Sequence, residues 1–250
     1  MTKRERNTAL SLHGLEVKRD SFTLKIHELE LRSGEVTCIV GPNGCGKTTL
    51  LLTILGLLPH KGDCFVTGKP YDGTDPLLKA KIGFIPDDPE LLFEELSARE
   101  QWSVSASVHA DLTQLVNRAQ LIERAETLAR AISFNPPPQL ARDYSHGMRK
   151  KTQIVDALVG QPQILIADEL HNGLDPLAIK QAEELIQAEC DQGMAVLAAT
   201  HDLWWAERFA KYIYVLNRGR VIAAGTGKQL RKKGEPDFQT AFFRILREDS

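Results

Sequence analysis

The sequence predicts an α/β fold in which helices cover a mostly parallel β-sheet, with antiparallel strands before the sheet and a helical insertion within it. Short apolar segments alternate with amphipathic ones in the second half of the chain, and this strand–helix–strand order is typical of parallel sheets. Residues 10–31 alternate between apolar and polar, which indicates antiparallel strands. Between these parts, residues 36–58 form a predicted buried strand, a glycine-rich loop and an apolar helix, around which the rest is organised.

The individual elements follow from hydrophobic periodicity. The N-terminal stretch predicts a hairpin with its turn at residues 18–21, followed by a separate strand toward Leu31. Buried strands are predicted at 36–40, 82–85, 163–167 and 195–199, and a second hairpin at 212–223 with its turn at 217–219. Helices are predicted at 176–190, 204–210 and, from the apolar spacing of the tail, 238–246.

Residues 89–135 contain no strand-like run and predict a helical insertion. Ser97 and Glu100 have the spacing of a capping box, which marks the start of a helix. Apolar residues at helical spacing follow from Leu112 to Ile132, and three prolines at 136–138 close the segment. We therefore expect one domain over 1–250. In it, residues 1–88 and 157–250 form the core around the glycine-rich loop, with its antiparallel β subdomain, and residues 89–156 form a helical subdomain.

The composition excludes several classes of protein. With 31 basic and 33 acidic residues the net charge is -2, so no excess of charge favours binding to nucleic acid. No apolar run is long enough to span a membrane, and the N-terminal residues MTKRERNTAL do not have the pattern of a signal peptide. The four cysteines lack C-x-x-C spacing, which argues against a zinc site or a disulfide framework. A basic cluster at 228–233 is interpreted as a solvated surface, with contact to a membrane surface as the alternative.

The loop between the central strand and helix has the pattern G-x-x-x-x-G-K-T and predicts a phosphate-binding loop. Backbone N–H groups of residues 44–47 and the N-terminus of the helix are expected to face the phosphates. Lys47 is expected to reach the β- and γ-phosphates, and the Thr48 hydroxyl to bind Mg²⁺. The sequence thus predicts ATP and Mg²⁺ as ligands. The nucleotide-binding candidates in the loop are Gly41, Pro42, Asn43, Gly44, Cys45, Gly46, Lys47, Thr48 and Thr49.

Cys45 has two interpretations. A thiol at a helix N-terminus inside a phosphate loop is a candidate for a lowered pKa and unusual reactivity. The structural interpretation, which we prefer, is that this backbone position needs a small residue.

Further candidates follow the ends of predicted strands, the edge at which ligands bind in such sheets. Asp168 is predicted to hold Mg²⁺, and Glu169 to act as general base on the attacking water; the alternative for this pair is a helix N-cap. His201 is predicted to contact the γ-phosphate, and a packed or solvated histidine is the alternative. Phe22 either stacks on the nucleotide base or is an inward strand residue.

Four segments together resemble the nucleotide-binding subunit of an ABC transporter: GPNGCGKTT at 41–49, YSHGMRKK at 144–151, ILIADEL with NGLDP within 164–176, and THD at 200–202. In their order and spacing, the four segments extend the resemblance over essentially the whole chain. The resemblance implies that two such subunits pair head to tail and that each ATP lies between the phosphate loop of one and the signature segment of the other. It also implies that Ser145 and Gly147 donate to the γ-phosphate across that interface, that Phe22 stacks on adenine, and that Asp175 lies in a loop at the dimer interface.

The chain departs from the family pattern at four positions. Asp87 stands where the family usually has the glutamine that senses Mg²⁺ and water, and we keep it as a metal-ligand candidate. His146 and Met148 replace a glycine and a glutamine in the signature segment, and Leu170 replaces a proline. Signature variants with histidine resemble those of export-type members, which favours an exporter.

The resemblance implies an ATP-hydrolysing subunit that powers a separate transmembrane permease, held at the cytoplasmic face of the plasma membrane by that permease. The partner ATPase is either a second copy or a different chain, and no nucleic-acid partner is expected. Two other hypotheses stay open at this point: an ABC-type ATPase acting on nucleic acid or ribosomes, and a nucleotide-binding regulator that does not hydrolyse.

Overall fold

A computed structural model describes residues 7–19 and 21–249. The chain folds as two compact units. The first runs to Asp75 and resumes at Ala195; the second comprises Pro76–Met194. Asp20, in the predicted turn of the N-terminal hairpin, lies outside the described residues.

In the described residues of the first unit, the sheet is formed by eight strands, numbered along the chain: β1 (Thr8–Arg19), β2 (Phe22–Arg32), β3 (Val36–Val40), β4 (Lys61–Val66), β5 (Lys69–Pro70), β8 (Ala195–Thr200), β9 (Tyr212–Asn217) and β10 (Arg220–Gly225). Their order across the sheet is β5-β4-β1-β2-β10-β9-β3-β8. β3 pairs in parallel with both β8 and β9, and Val40 is aligned with Thr200 and with Val215. The segments that follow β3 and β8 therefore leave the sheet at the same edge, where the phosphate loop and His201 lie.

The N-terminal hairpin is confirmed, because β1 and β2 pair antiparallel. The separate strand toward Leu31 was wrong, since β2 is continuous to Arg32. Its buried side chains change phase after Ile26, where two exposed polar residues follow each other. β1 changes phase opposite this point, at Gly14. Both strands shift together, so the pairing continues through what the sequence pattern alone presents as a break.

The described part of the first unit also contains four helices: α1 (Lys47–Ile54), α7 (Leu203–Phe209), α8 (Gly227–Leu230) and α9 (Phe238–Glu248). The buried side chains of α9 lie on one face, and the helix packs against α7 and α8. Its first N–H, at Phe238, donates to the Glu207 carboxylate on α7 at 3.0 Å. α1 is shorter than the sequence predicts, because Gly56 takes a left-handed backbone conformation (φ 69°) just past its end.

The second unit contains the parallel strands β6 (Ile82–Ile85) and β7 (Ile164–Asp168) and five helices: α2 (Pro76–Lys79), α3 (Ala98–Thr113), α4 (Arg118–Ala131), α5 (His146–Val159) and α6 (Pro176–Asp191). α3, α4 and α5 pack against one another. The predicted capping box at the start of α3 is confirmed. Tyr144, before α5, accepts the N–H of Ala98 at 3.1 Å and so ties the start of α5 to the start of α3.

The single helical pattern from Leu112 onward was wrong, because it contains the end of one helix and the start of another. α3 stops at Thr113, and Gln114 has a left-handed backbone (φ 54°). Asn117 then caps α4 in a capping box with Gln120. Leu115, counted in the helical pattern, lies in the connection and is 86% exposed. The apolar spacing continues across the break by coincidence, and the asparagine cap decides the boundary.

The predicted α/β class, with antiparallel strands first and a helical segment between strands of the core, is confirmed. The division at 89 and 156 into core and helical subdomain stays a prediction. No helix in the described part of the chain is long and apolar enough to cross a membrane.

Candidate functional site

The phosphate loop leaves β3 at a position where only glycine fits. A Cβ on Gly41 would lie 2.2 Å from the backbone oxygen of Leu216 and 2.7 Å from the Cys45 Sγ atom. Further along, Gly44 and Gly46 have φ angles of 76° and 111°, which side-chain-bearing residues rarely adopt. The sequence therefore folds this segment into a tight loop that reaches the first turn of α1.

Lys47 is the first residue of α1 and is buried. Its Nζ donates to the Gly41 carbonyl at 2.8 Å and lies 3.5 Å from the Pro42 carbonyl, so the cation spans the loop from inside. The N-cap of α1 is Gly46, which has no side chain, so no side-chain hydrogen bond caps the start of this helix in the described residues. Backbone N–H groups at an uncapped helix N-terminus favour an anion, and the lysine adds positive charge at the same place.

The ring of Phe22 lies against the phosphate loop. A Cβ on Gly46 would come within 2.8 Å of the Phe22 Cζ atom, and one on Gly219 within 3.2 Å of it. The side chain is half-buried, so part of the ring stays accessible. Phe22 and Lys47 are 25 residues apart in the sequence, and the structure brings the Phe22 ring to the loop. This position is compatible with both interpretations, a ring that stacks on the base and a strand residue.

The β9–β10 turn supports the loop in a way the sequence analysis missed. The N–H of Gly219 donates to the Cys45 carbonyl at 3.0 Å, and the Cys45 N–H donates to the Pro42 carbonyl at 3.2 Å. Of the backbone N–H groups of residues 44–47 that were predicted to face the phosphates, that of Cys45 therefore already makes a hydrogen bond within the loop. Residues 217–219 were predicted only as a hairpin turn, and no local signal points to their contact with residue 45.

The structure favours the structural interpretation of Cys45. Burial raises the pKa of its thiol, and this effect outweighs the opposing effect of the nearby Lys47 charge. The other three cysteines are buried as well, and none of the four is part of a disulfide in the described residues. Because the thiolate is the reactive species, a raised pKa predicts an inert thiol.

Iodoacetamide at pH 7.5 is accordingly expected to leave Cys45 unmodified in the folded protein. Intact-protein mass spectrometry checks the result, with ATP hydrolysis measured on the same sample. Urea-unfolded protein serves as the control, because all four thiols become accessible there. Rapid alkylation of Cys45 in the folded protein, with loss of hydrolysis, would contradict the inert thiol.

His201 directly follows β8 and is exposed. Asp202 caps α7 by accepting the N–H of Trp205 at 2.9 Å, which fixes the turn in which His201 sits. Because Thr200 is aligned with Val40, His201 and the phosphate loop leave neighbouring strands of the first unit at the same edge. His201 and the phosphate loop therefore follow the ends of adjacent strands.

The second unit carries the carboxylates. Asp168 ends β7 and is 6% exposed, and Glu169 follows with a left-handed backbone (φ 45°). The helix that comes next, α6, begins at Pro176 and is capped by Asp175, whose carboxylate accepts the N–H groups of residues 177 and 178. Glu169 is therefore no helix N-cap, and that alternative was wrong. A non-glycine residue in this conformation is strained, and such strain concentrates at functional positions.

Asp87 follows β6, the parallel neighbour of β7, and is exposed. The Asn172 side-chain amide donates to its carboxylate. Asn172 was quoted in the sequence only as part of a motif, and its bond to Asp87 depends on two loops that are distant in the chain. The structure thus brings the loop after β6 together with the loop after β7.

Lys150 is the functional-site neighbour that the sequence analysis missed. It is fully buried on α5 and donates from Nζ to the Pro86 carbonyl at 2.6 Å. Burial lowers its pKa to about 8, and the carboxylates of Asp87, Asp168 and Glu169 partly oppose that effect. A lysine on the buried face of an amphipathic helix is the sequence signal that would have found it.

The signature segment begins α5. The Ser145 hydroxyl caps the helix by accepting the Met148 N–H at 3.3 Å, and Ser145 and His146 are both exposed. Gly147 approaches the loop before α6, where a Cβ would lie 3.1 Å from the Gly173 carbonyl. The helix start, with its hydroxyl and backbone donors, thus lies at the surface of the second unit.

The candidates fall into two groups. The first unit carries Phe22, residues 41–49 and His201; the second carries Asp87, Ser145, Gly147, Asp168, Glu169 and Asp175. In the described part of the chain, no group of three or more His, Cys, Asp or Glu side chains is arranged to hold a metal ion by itself. The oxygen donors Thr48 and Asp168 are of the kind that Mg²⁺ prefers when phosphates complete its coordination.

Comparison with known proteins agrees with these motifs. Residues 24–172, more than half of the chain, match the family model described as "ABC transporter". The ABC-type transporter ATP-binding protein EcsA of Bacillus subtilis (strain 168) is 30% identical over 87% of this chain and 83% of that protein. The chain belongs to the ABC transporter family. It is an ATP-binding, ATP-hydrolysing subunit with the phosphate-loop NTPase fold of that family.

Two further relatives support this ABC assignment. The Nod factor export ATP-binding protein I of Cupriavidus metallidurans is 31% identical over 81% of this chain and 66% of that protein. A solved structure described as the ATP binding subunit of an ABC transporter has a TM-score of 0.85 and 27% identity, covering 96% of this chain and all of its own. The fold predicted from the sequence is thereby confirmed over nearly the whole ABC subunit.

Proposed function

We propose that this ABC subunit hydrolyses ATP in a pocket completed by a second ATPase subunit, and that hydrolysis powers export through a separate permease. The observation that carries the proposal is the start of α5, where the capped Ser145 and the helix N-terminus are exposed. A helix N-terminus with a hydroxyl at its tip binds phosphate well, and an exposed one is open to the ATP of a partner subunit.

Within one subunit, the phosphate loop binds and orients the triphosphate. The Lys47 ammonium already faces the loop before phosphate binds. Little free energy is therefore needed to reorganise this side chain on binding. Phe22 offers a partly accessible ring beside the loop for the adenine. The other loop residues contribute backbone donors, and Ser145, Gly147 and Asp175 belong to the surface that meets the partner.

Glu169 is the proposed general base and His201 the proposed contact of the γ-phosphate. Glu169 takes a proton from the attacking water, and its strained backbone supports a functional position. Thr48 and Asp168 are the proposed ligands of Mg²⁺. Asp87 is a further candidate ligand of the metal. Mg²⁺, when bound, neutralises charge that develops on the transferred phosphoryl group.

The direction of transport and the location are proposed from the relatives. One relative is named for export of Nod factor, which supports an exporter. An exporter of this kind holds the ATPase at the cytoplasmic face of the membrane through its permease. No basic excess supports the alternative of an ATPase acting on nucleic acid or ribosomes, since the net charge is -2.

Glu169→Gln tests the paired site. The variant retains the shape of the side chain but loses the base, so hydrolysis is expected to fall about 100-fold or more. With ATP and Mg²⁺ it is expected to elute as a stable dimer in size-exclusion chromatography with light scattering. The reason is that the ATP held between the two subunits is no longer hydrolysed. Glu184→Gln, at an exposed residue of α6, is the control. A Glu169→Gln protein that binds ATP and stays monomeric would overturn the proposed pairing.

A further inference from the structure

A cavity of about 540 Å³ lies in the first unit between β10, α8 and α9. Among the described residues, four cationic side chains line it, and two of them belong to the basic cluster at 228–233 that the sequence analysis interpreted as a solvated surface. These cations are Arg220, Arg231, Lys232 and Arg244. Cations that converge on one concavity from a strand, a loop and a helix form a site for an anion rather than a diffuse charged face.

The carboxylate of Glu248, at the end of α9, already lies where such an anion would bind. Its Oε1 atom accepts from Lys232 Nζ at 2.7 Å, and its Oε2 atom accepts from Arg244 Nη1 at 3.0 Å. The hydrogen bond from Lys232 lowers the pKa of this carboxyl group, so the group is an anion at neutral pH. The next residue, Asp249, accepts from Arg220 Nη2 at 3.2 Å. Because phosphate oxygens make charge-assisted contacts of this length with ammonium and guanidinium groups, the cavity has the geometry of an oxyanion site that contains a carboxylate of the same chain.

The two cations that hold Glu248 differ in how firmly they are fixed. The Arg244 side chain is 22% exposed, and it donates from Nε to Glu235 at 2.7 Å and from Nη2 to the Leu230 carbonyl at 2.9 Å. Its guanidinium therefore keeps its position when Glu248 leaves. The side chains of Lys232 and Glu248 are 62% and 54% exposed, and exposed ion pairs of this kind contribute little to stability. A ligand with more negative charge than one carboxylate can therefore displace Glu248 from a site that stays preorganised.

We infer that this cavity binds a phosphorylated anion, whose oxygens replace the Glu248 carboxylate between Lys232 and Arg244. A phosphoryl group has three oxygens and about two negative charges near pH 7, so it neutralises both cations, whereas a carboxylate has two oxygens and a single charge. Asp249 follows Glu248 in the chain, so the same displacement frees Arg220 for a second phosphoryl group. The phosphoryl group comes from a soluble phosphate compound or from the headgroup of an anionic phospholipid, and both sources share this chemistry. The site is separate from the phosphate loop and does not depend on the proposed function.

Calorimetric titration with inorganic pyrophosphate tests the site. The Lys47→Met variant serves as the background, because its phosphate loop has lost the cation that would attract the same anion. Lys232→Gln and Arg244→Gln are each expected to weaken binding about 10-fold, the effect of one lost charge-assisted contact. Glu248→Gln is expected to strengthen binding about 5-fold, because the anion no longer has to displace an exposed ion pair.

Two controls separate a defined site from general electrostatic attraction. Lys233→Gln removes the same charge from the neighbouring residue, which is exposed and is not among the described residues that line the cavity. Glu184→Gln changes the charge as Glu248→Gln does, at an exposed position of the second unit. Neither control is expected to change binding more than about 2-fold, because exposed charges outside the site are largely screened at physiological salt. Thermal unfolding of every variant shows that a loss of binding does not come from misfolding, and misfolding cannot explain a gain with Glu248→Gln.

Sedimentation with vesicles of phosphatidylcholine and phosphatidylglycerol identifies the source of the phosphoryl group. Binding of the vesicles that Lys232→Gln and Arg244→Gln abolish, and that Lys233→Gln retains, would assign the site to a lipid headgroup. Binding of pyrophosphate with the same pattern, without binding of the vesicles, would assign it to a soluble phosphate compound. Equal losses with Lys232→Gln and Lys233→Gln, or no strengthening with Glu248→Gln, would overturn the inference. It would also be overturned if the protein with the unaltered cavity bound neither probe.

Discussion

Replacing Lys47 by methionine is expected to reduce ATP hydrolysis by roughly 10²- to 10³-fold, the effect of removing one preorganised charge from a site where negative charge develops. Methionine has nearly the length of lysine and fills the same buried space. What it removes is the cation that lies 2.8 Å from the Gly41 carbonyl and 3.5 Å from the Pro42 carbonyl. Binding of ATP weakens too, because the anion loses its nearest fixed positive charge.

Steady-state phosphate release and titration with a fluorescent ATP analogue measure the two effects separately. Lys61→Met, at an exposed lysine of β4, is the control and is expected to hydrolyse ATP at the wild-type rate. Thermal unfolding of Lys47→Met shows that a loss of hydrolysis does not come from misfolding, since methionine fills the same buried space. Hydrolysis within a few-fold of wild type would remove Lys47 from the site.

The phosphate loop was predictable because its motif is local, although its contacts with Leu216 and Gly219 are not. The strand, the glycines and the helix are contiguous, and the loop conformation follows from positive φ angles that glycine alone adopts easily. The same is true of the capping boxes, which need residues three positions apart. Local chemistry of this kind is visible in a sequence without knowledge of the fold.

The residues that the sequence analysis missed all act through distant contacts. Lys150 meets the Pro86 carbonyl across 64 residues, and Asn172 meets Asp87 across 85. The sequence can mark Lys150 as a lysine on the buried face of a helix. It does not specify the partner, because that depends on which elements lie together in the fold.

Lys150 also shows how the second unit holds several carboxylates near one another. The carboxylates of Asp87, Asp168 and Glu169 partly oppose the lowering of the Lys150 pKa by burial. A buried cation is costly by itself, and carboxylates that collect at one sheet edge repel each other. Attraction between the Lys150 ammonium and these carboxylates therefore lowers the cost of burying the cation and offsets the repulsion among the carboxylates. Gln153, one turn further along α5, adds a second tie by donating to the Asp88 carbonyl at 2.8 Å, so the loop after β6 is fixed to the signature helix.

Gly41→Ala is expected to destabilise the protein by about 3 kcal/mol, the upper part of the range for overpacking a tight site. The added methyl group would lie 2.2 Å from the Leu216 backbone oxygen, which belongs to β9 and has no rotamer by which to retreat. For a protein of this size that loss corresponds to a melting temperature lower by roughly 10 °C. Because the loop must shift to admit the methyl group, ATP binding is expected to weaken as well.

Gly44→Ala separates the effect of space from that of backbone conformation. Gly44 lies in the same loop with a φ of 76°, and a Cβ there would meet nothing within 4 Å. Alanine at this position carries only the cost of a left-handed conformation, about 1 kcal/mol. Differential scanning calorimetry of the two variants should therefore show a loss about three times larger for Gly41→Ala. Equal losses would mean that φ alone decides both positions and that the strand end beside β9 has room for a side chain after all.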